Sequence, residues 1–548
     1  MTKRQKANPK QSLLIGALAS SFGVFVSKML GLLYYSPLSS LAGEGNMAFY
    51  SITYTYYDLL LKISSAGIPF AIAAIVAKYV AHEDYKTAMV VRKLGTSLVM
   101  AISVFSAFIF IFCSGSIARQ SLGNLASDAD IANLKNLFMI LILAVILVPY
   151  LSVIRSYYQG LKRLDLYASN QVLEQFVRVF FILIAGFVVV KILKFDSIYA
   201  IYTAIMAAGI AAFVAILFFK KSTKEDDRRI DELIKNQEGE AADTRYIFKE
   251  IVDLGVPYLL ISFLGSSGPL VNTSFFLSHV TASGGMPQAE AVLSLGILQA
   301  NCSKLNAIPQ VLTSGFCAGL VPYLTESLVK QDYRQMNKQI MQILNTVLYI
   351  LIPVLFIFNF FARDVYYIMY GNSNLDLGTS LFKASNYYAF TETVLPILSS
   401  IMITLRLKKE AILTLLMCFL LKLISFFPMV KYLWAYGMVT STCFASVISI
   451  TVYLVMLNRR FGISFKQTFK VALLVIICSF IMIVPGILIH NLFGFGYDSR
   501  VIDILIMMLC GIVMVIVYIV CSYFCYLPQA LFGFKKSDIK RLIHKVFK

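Results

Sequence analysis

The sequence is poor in charged residues and contains a single tryptophan. Charged side chains make up 14% of its 548 residues, whereas 59% of the residues are hydrophobic. A soluble domain carries about 25% charged and roughly 45–50% apolar residues. The apolar runs also lack the alternation with a period of two that is typical of a transmembrane β-barrel. These absences leave an all-α membrane protein, because a spanning helix satisfies its backbone hydrogen bonds within itself.

Motifs for catalysis are also missing. The sequence has no recognisable pair of catalytic carboxylates, nucleophile motif, glycine-rich phosphate loop or metal-ligating cluster, so we expect no enzyme, no metal and no cofactor. The nine cysteines lie in or beside apolar segments and are interpreted as small packing residues. The first apolar run is not followed by a cleavage site of small residues and a polar mature domain. We therefore expect that run to be retained as a helix.

Fourteen apolar segments can cross a bilayer, which requires about 20 residues each. We number them as predicted spans 1 to 14, and they cover residues 12–35, 47–80, 90–117, 134–157, 168–192, 197–219, 248–279, 290–328, 338–362, 378–405, 411–430, 437–457, 468–491 and 499–526. The termini and every second loop together hold about five times as many lysines and arginines as the remaining loops. This bias predicts that both termini are cytoplasmic. This asymmetry also explains the net charge of +19 without a nucleic-acid partner.

Two short elements recur in the same order in the two halves of the sequence. KISSAGIP begins at Lys62 in span 2, and KLNAIP begins at Lys304 in span 8; HEDYK then precedes span 3, and KQDYR precedes span 9. Because six spans separate the copies, the repeats have the same orientation in the membrane. We predict an N-terminal lobe (1–220, spans 1–6), a cytoplasmic linker (221–247), a C-terminal lobe (248–460, spans 7–12) and an addition (461–548) with spans 13 and 14 and a basic tail.

Three lysines lie deep inside predicted spans of both halves. A charge at the bilayer centre costs at least about 2.5–3.5 kcal/mol on insertion scales, so each needs a physical reason. Lys28, Lys62 and Lys304 predict a central, water-filled, electropositive cavity, and ammonium groups suit phosphate oxygens. Asp58 lies one helical turn from Lys62, so an ion pair within the span is the alternative for that lysine.

Three more basic residues fall inside spans. Arg178 follows Glu174 by one helical turn, and we interpret the two as a structural ion pair. Lys383 lies near the outer end of span 10 and is expected to extend to the lipid headgroups. For Lys422, near the middle of span 11, the sequence indicates no role.

Prolines and glycines interrupt the spans that carry the deep lysines. Pro69 and Pro309 lie inside spans 2 and 8, where a proline removes a backbone hydrogen bond and bends the helix. Span 7 contains Gly255-Val-Pro257 and then a second break at Gly265-Ser-Ser-Gly-Pro269. We expect span 7 to bend between states, and a purely structural kink is the alternative for any one of these positions.

Several motifs resemble the MurJ/SpoVB-type branch of the MOP exporter superfamily, and the resemblance covers essentially the whole chain. They are SKMLG from Ser27, SAGIP from Ser65, and RSYYQG from Arg155 followed by SNQVLEQFVRV from Ser169. The stretch from Ser303 through Lys304 to Pro309 is similar to a position where this family carries a functional basic residue.

The resemblance implies two six-helix lobes in a MATE-like arrangement around a cavity, plus two helices that form a groove for a polyprenyl tail. It also implies flipping of lipid II, the undecaprenyl-pyrophosphate-linked peptidoglycan precursor, across the plasma membrane. Lys28, Lys62 and Lys304 match basic positions of the family cavity and are the candidate substrate-binding residues. Candidates for a structural or gating role are Asp58, Arg155, Glu174, Arg178, Pro69 and Pro309.

The sequence departs from the family pattern at three places. Tyr34 stands where many members have a second basic residue, and an acidic residue at the start of span 2 is replaced near Met47. Span 11 lacks an aspartate, which argues against a sodium site of the kind that some relatives have. We therefore expect the membrane potential to contribute to transport and leave sodium coupling open. The expected partners are a lipid-linked anionic substrate, membrane lipids and cell-wall synthesis enzymes.

Three other functions are alternatives. A flippase for another lipid-linked oligosaccharide, or a sporulation paralogue, would share every feature above. A multidrug cation antiporter needs buried carboxylates and aromatic residues to hold a cation, whereas the deep charges are mainly basic. A scaffold for cell-wall enzymes has no need to bury unpaired charge, and the deep lysines therefore argue against it.

Overall fold

The computed structural model describes residues 30–31, 34–65, 67–123, 126–161, 163–265, 267–283, 285–310, 324, 327–328, 331–494 and 500–532. These residues are mostly helical and include no strand. The helices, numbered in chain order, are α1 Tyr35–Ala42, α2 Glu44–Ser65, α3 Ile68–Ala81, α4 Tyr85–Leu122, α5 Asp128–Gly160, α6 Leu164–Phe187, α7 Ile198–Ser222, α8 Lys224–Asn236, α9 Thr244–Gly265, α10 Ser267–Ala282, α11 Gln288–Gly296, α12 Tyr333–Phe360, α13 Ala362–Tyr370, α14 Leu375–Thr404, α15 Lys408–Leu433, α16 Ala435–Phe461, α17 Lys466–Phe493, α18 Arg500–Phe524 and α19 Leu527–Phe532.

Two of these helices continue as π turns. Val188–Ile192 extends α6, and Ile297–Cys302 extends α11. Residues 303–310 then resume as a helix after the second π turn. Span 8 is therefore irregular immediately before its deep lysine.

The all-α fold class is confirmed. Every predicted span from 2 to 14 contains a helix in the described part of the chain, whereas span 1 lies almost entirely outside it. Nine helical segments of the described residues are long and apolar enough to cross a membrane. Spans 2 and 7 are each divided into two shorter helices, so the count of fourteen stays a prediction.

The break in span 2 is a close contact between two backbones. A Cβ atom on Gly67 would lie 2.1 Å from the carbonyl oxygen of Gly255 in α9, so a side chain at this position would collide with α9. Pro69 is the second residue of α3, where a backbone N–H needs no helical partner. Pro69 therefore begins a new helix, whereas the sequence predicted that it would bend a continuous one.

The recurring Asp-Tyr elements have the same local structure in both halves. Asp84 accepts a hydrogen bond from the backbone N–H of Thr87 at the start of α4, and Asp332 accepts one from that of Gln335 at the start of α12, both at 2.9 Å. The residue before each aspartate has a positive φ, 60° at Glu83 and 57° at Gln331. The repeat in the sequence is thus a repeated helix N-cap with a left-handed residue before it.

The described chain folds as two compact units. The first contains the described residues up to Asn301 together with Phe419–Met438, and the second contains Cys302–Cys418 and the described residues from Val439. In the first unit α4 packs along α5 and α6 packs along α7; in the second, α17 packs against α18 and α12. The predicted lobe boundary at residues 221–247 stays a prediction.

The predicted linker is a folded part of the first unit. The side chain of Ile230 in α8 is buried in an apolar cluster with Val91, Tyr158 and Ile251. The neighbouring Asp227 pairs with Arg92 at 3.3 Å and accepts a short hydrogen bond from the Tyr158 hydroxyl. This segment, which the sequence predicted to be a cytoplasmic linker, is therefore held by both apolar packing and charge.

Candidate functional site

Lys62 is paired with an aspartate on its own helix. It lies in the last turn of α2, and its Nζ atom is 2.5 Å from Oδ2 of Asp58. The two side chains are 36% and 46% exposed. The ion pair that the sequence offered as the alternative is therefore formed. An anion that binds Lys62 has to compete with the Asp58 carboxylate for the ammonium group.

Lys304 lies directly after an irregular stretch of backbone, as Lys62 lies directly before one. Lys304 is half-buried and follows the π turn Ile297–Cys302, whereas Lys62 precedes the break at Gly67. Lys62 belongs to the first unit and Lys304 to the second. Lys28 lies outside the described residues. Irregular backbone inside predicted spans is typical of a site that lines a polar cavity.

A second set of charges is buried in the first unit. The Glu174 carboxylate receives one hydrogen bond on each oxygen, from Arg155 at 2.7 Å and from Arg178 at 2.6 Å. The predicted Glu174–Arg178 pair is therefore present in the structure. The Arg155–Glu174 pair was not predicted from the sequence, since the two residues are on different helices, α5 and α6.

Asn170 completes the second set of charges. Its side-chain oxygen accepts a hydrogen bond from Nε of Arg155 at 2.8 Å, and its carbonyl oxygen accepts one from Nη2 at 3.1 Å. The Asn170 amide then donates to the carbonyl oxygen of Ala215 in α7 at 2.8 Å. We call Arg155, Asn170, Glu174 and Arg178 the arginine cluster. It joins three consecutive helices and contains two positive charges for one negative charge.

A group of tyrosines lies near Arg178 of the arginine cluster. The Tyr34 and Tyr50 hydroxyls are 2.7 Å apart, and the Tyr54 ring lies 5.5 Å from the rings of both Tyr50 and Tyr57. The charge of Arg178 interacts with the hydroxyl groups of Tyr57 and Tyr54. Tyr34, where the family pattern has a basic residue, thus belongs to a layer of aromatic hydroxyl groups near the arginine cluster.

The other candidate residues are dispersed. Pro309 is buried in the helix at residues 303–310, and Lys383 is exposed on α14. Lys422, for which the sequence indicated no role, is 1% exposed and lies inside the first unit. No group of three or more His, Cys, Asp or Glu side chains suited to a metal ion occurs among the described residues.

Nine long apolar helices in the described part of the chain, together with charges that are paired between helices, define a multi-pass membrane protein. Residues 13–328 match the family model described as polysaccharide biosynthesis protein, and the chain belongs to this family.

Similarity to individual relatives extends further along the chain. It is 27% identical to the lipid II flippase MurJ of Bacillus subtilis (strain 168) over 532 residues, which are 95% of this chain and 97% of the relative. It is 23% identical to the stage V sporulation protein B of the same organism over 379 residues, 66% of this chain and 68% of the relative. The resemblance found in the sequence is thereby confirmed.

Solved structures with the same fold include two transporters. A structure of the lipid II flippase MurJ in an inward closed conformation has a TM-score of 0.66 at 16% identity and covers 93% of this chain and 99% of that chain. An inward-facing multidrug resistance MATE family transporter of the MOP superfamily has a TM-score of 0.63 at 13% identity, over 82% and 98%. The predicted MATE-like fold is confirmed.

Proposed function

We propose that the protein is a flippase that moves lipid II, a polyprenyl-pyrophosphate-linked peptidoglycan precursor, across the plasma membrane of a bacterium. One observation carries the proposal: the similarity to a lipid II flippase runs along 95% of this chain and 97% of that relative. The similarity to the sporulation protein covers only about two thirds of either chain. Both termini lie in the cytoplasm, as the distribution of basic loop residues indicates.

In the proposed mechanism, Lys28, Lys62 and Lys304 bind the pyrophosphate. Ammonium groups are compact cations with three donors each, suited to phosphate oxygens. Arrival of the pyrophosphate exchanges the Asp58 carboxylate at Lys62 for a phosphate oxygen. The half-exposed pair supports this exchange, because water and a polar ligand can reach both side chains. Alternating opening to each side of the membrane then moves the headgroup.

The polyprenyl tail remains in the lipid beside α17 and α18. Both helices expose large apolar side chains, among them Phe480 and Leu488 on α17 and Leu505 and Ile512 on α18. No cofactor takes part. The membrane potential, negative inside, returns the empty basic cavity toward the cytoplasm with about 2.3 kcal/mol per charge for each 100 mV. Cell-wall synthesis enzymes receive the substrate outside.

A flipping assay with purified lipid II in proteoliposomes tests the proposal. We expect Lys62→Ala and Lys304→Ala each to lower the flipping rate at least about tenfold, because each removes a charge-assisted hydrogen bond worth about 1.5–3 kcal/mol. Lys383→Ala, at an exposed lysine, is the matched control and should keep the rate. Thermal melting confirms that each variant is folded. Full activity in both Lys62→Ala and Lys304→Ala would refute the lysine-based mechanism.

A second candidate is a flippase for a different lipid-linked oligosaccharide, which the similarity to the sporulation protein favours. The two functions separate in a genetic test. A lipid II flippase restores growth to cells depleted of their own enzyme, whereas a flippase for another substrate does not. The same proteoliposomes loaded with an undecaprenyl-pyrophosphate oligosaccharide that lacks the peptide give the direct comparison of substrates.

A further inference from the structure

Lys422 is a lysine whose whole side chain is buried. It lies in the middle of α15, is 1% exposed, and is one of the largest fully buried side chains of the described residues. Transfer of an ammonium group from water into a protein interior is expensive unless polar groups replace the lost hydration. The surroundings of Lys422 therefore have to supply ligands that suit a cation.

Two of those ligands are oxygen atoms from two other helices. The Lys422 Nζ atom donates to Oδ1 of Asn272 in α10 at 2.8 Å and to the carbonyl oxygen of Met438 in α16 at 2.9 Å. The face of the Phe426 ring lies 5.2 Å from Nζ. A carbonyl oxygen, an amide oxygen and a ring face all carry partial negative charge, so each favours a cation. All of these residues belong to the first unit.

The helices that meet at Lys422 contribute few carboxylates. The sequences of α10 and α16 contain no aspartate or glutamate, and α15 has only Glu410. Glu410 lies three turns away and pairs with Arg460 at 2.8 Å. Neutral carbonyl and amide oxygens are among the ligands that hard metal cations take from proteins. The point where α10, α15 and α16 meet is therefore built like a cation site, and the side chain of Lys422 reaches into it.

We propose that the Lys422 ammonium acts as a tethered cation that fills an oxygen-lined monovalent-cation site between α10, α15 and α16. A free sodium or potassium ion has no room in the site while the lysine is there. One consequence rests on the proposed flippase activity. The substrate moves without sodium bound at this position. The tethered charge joins the second half of span 7 to spans 11 and 12 at any salt concentration.

Removal of the lysine side chain should convert the site into one for a free cation. The purified Lys422→Ala protein keeps the Asn272 and Met438 oxygens and gains space beside them. We expect its melting temperature to rise by several degrees, with saturation, as sodium chloride replaces choline chloride at constant ionic strength. The wild type and Lys431→Ala, at an exposed lysine of the same helix, should show no such specific shift. An equal response of all three proteins to the two salts would refute the proposal.

Lys422→Met separates the charge from the volume. Methionine fills the space without a charge, so we expect this variant to melt below the wild type and to gain nothing from sodium or potassium chloride. If Lys422→Met is as stable as the wild type, the ammonium is not needed as a cation and the proposal is wrong. Stabilisation of Lys422→Met by sodium would place the ion elsewhere and would also refute it.

Asn272→Asp tests the site with the lysine still present, should the Lys422 variants fail to fold. It exchanges a neutral oxygen ligand for a charged one, and we expect a higher melting temperature than in the wild type. Asn272→Leu, which removes the ligand, should lower it. Equal losses in both variants would contradict a cation at this position.

A flipping assay with wild-type protein in sodium or choline buffer gives the transport outcome. Equal rates support a sodium-independent mechanism, and a sodium requirement contradicts it. A protein that flips no lipid II in either buffer refutes the proposed function alone, because the melting experiments on the site do not depend on the substrate.

Discussion

Two charged regions of the first unit are built in opposite ways. In the arginine cluster, one carboxylate lies between two guanidinium groups, and the side chains of Arg155, Glu174 and Arg178 are 10% to 14% exposed. In the Asp58–Lys62 pair, one carboxylate meets one ammonium group, and the side chains are 36% and 46% exposed. The arginine cluster keeps an excess positive charge in the interior, whereas the pair is neutral and open to polar ligands.

Exposure decides what each region can contribute. Water screens an exposed ion pair, so it contributes only about 0–1 kcal/mol and its partners exchange readily. A buried charge that loses its partner keeps the full desolvation cost, so a buried pair is difficult to break. We therefore expect the arginine cluster to hold the helices together and the Asp58–Lys62 pair to interact with the substrate.

The largest expected effect is that of Glu174→Gln. The glutamine has nearly the same shape but cannot balance two guanidinium groups, and its amide hydrogens would face one of them. We expect a loss of about 3–5 kcal/mol in the free energy of unfolding. Denaturation of the purified protein in detergent, followed by circular dichroism, measures this loss.

Glu238→Gln is the control for that measurement. Glu238 is exposed in the segment after α8, so its substitution should change the free energy of unfolding by less than about 0.5 kcal/mol. A Glu174→Gln protein as stable as this control would break the comparison, because the two arginines would then be balanced by some other group.

Much of the fold could be predicted from the sequence because the bilayer imposes a simple rule. A span needs a long apolar run, and spans 3 and 4 appear in the structure as the unbroken helices α4 and α5. The Glu174–Arg178 pair was also predictable, since both residues lie one turn apart on a single helix. Local spacing is sufficient for features of this kind.

Contacts between helices were harder to predict from the sequence. The link from Arg155 to Glu174 and the ligands of Lys422 depend on which helix faces line up, and hydropathy holds no such information. The docking of α8 was missed for a related reason. Its polar sequence predicted a cytoplasmic linker, whereas Ile230 and Asp227 both contact residues of other helices. The deep lysines could be identified because they place charges inside apolar spans. Their distances to a substrate cannot be predicted from the neighbouring sequence.

The helix cap at Asp84 has an expected effect on stability of intermediate size. Asp84 accepts hydrogen bonds from the Thr87 N–H and from the side-chain amide of Gln237, each at 2.9 Å. Burial raises the pKa of Asp84, but the hydrogen bonds together lower it by a larger amount. The net result is a pKa below the ordinary value. We expect Asp84→Ala to lose about 1 kcal/mol of stability near neutral pH.

The pH dependence follows from the direction of that shift. A carboxyl group whose pKa is lower in the folded protein stabilises it above the unfolded pKa of about 3.9, and this stabilisation is lost as the pH falls below that value. The difference between the wild type and Asp84→Ala should therefore shrink below about pH 4. Asp332→Ala removes the matching cap of α12 and is the control. An equal loss in both variants would mean that Gln237 adds nothing.

The smallest expected effect on stability, and the most informative on function, is that of Asp58→Asn. An exposed pair one turn apart contributes about 0.2–0.5 kcal/mol to a helix, so the melting temperature should barely change. Without the carboxylate, Lys62 has no anionic competitor, and undecaprenyl pyrophosphate should bind several-fold more tightly in a fluorescence binding assay. Asp58→Asn with Lys62→Ala should abolish that gain, since the effect acts through the lysine. If Asp58→Asn instead destabilises the protein as much as Glu174→Gln does, the pair is structural, and the distinction between a buried scaffold and an exchangeable site fails.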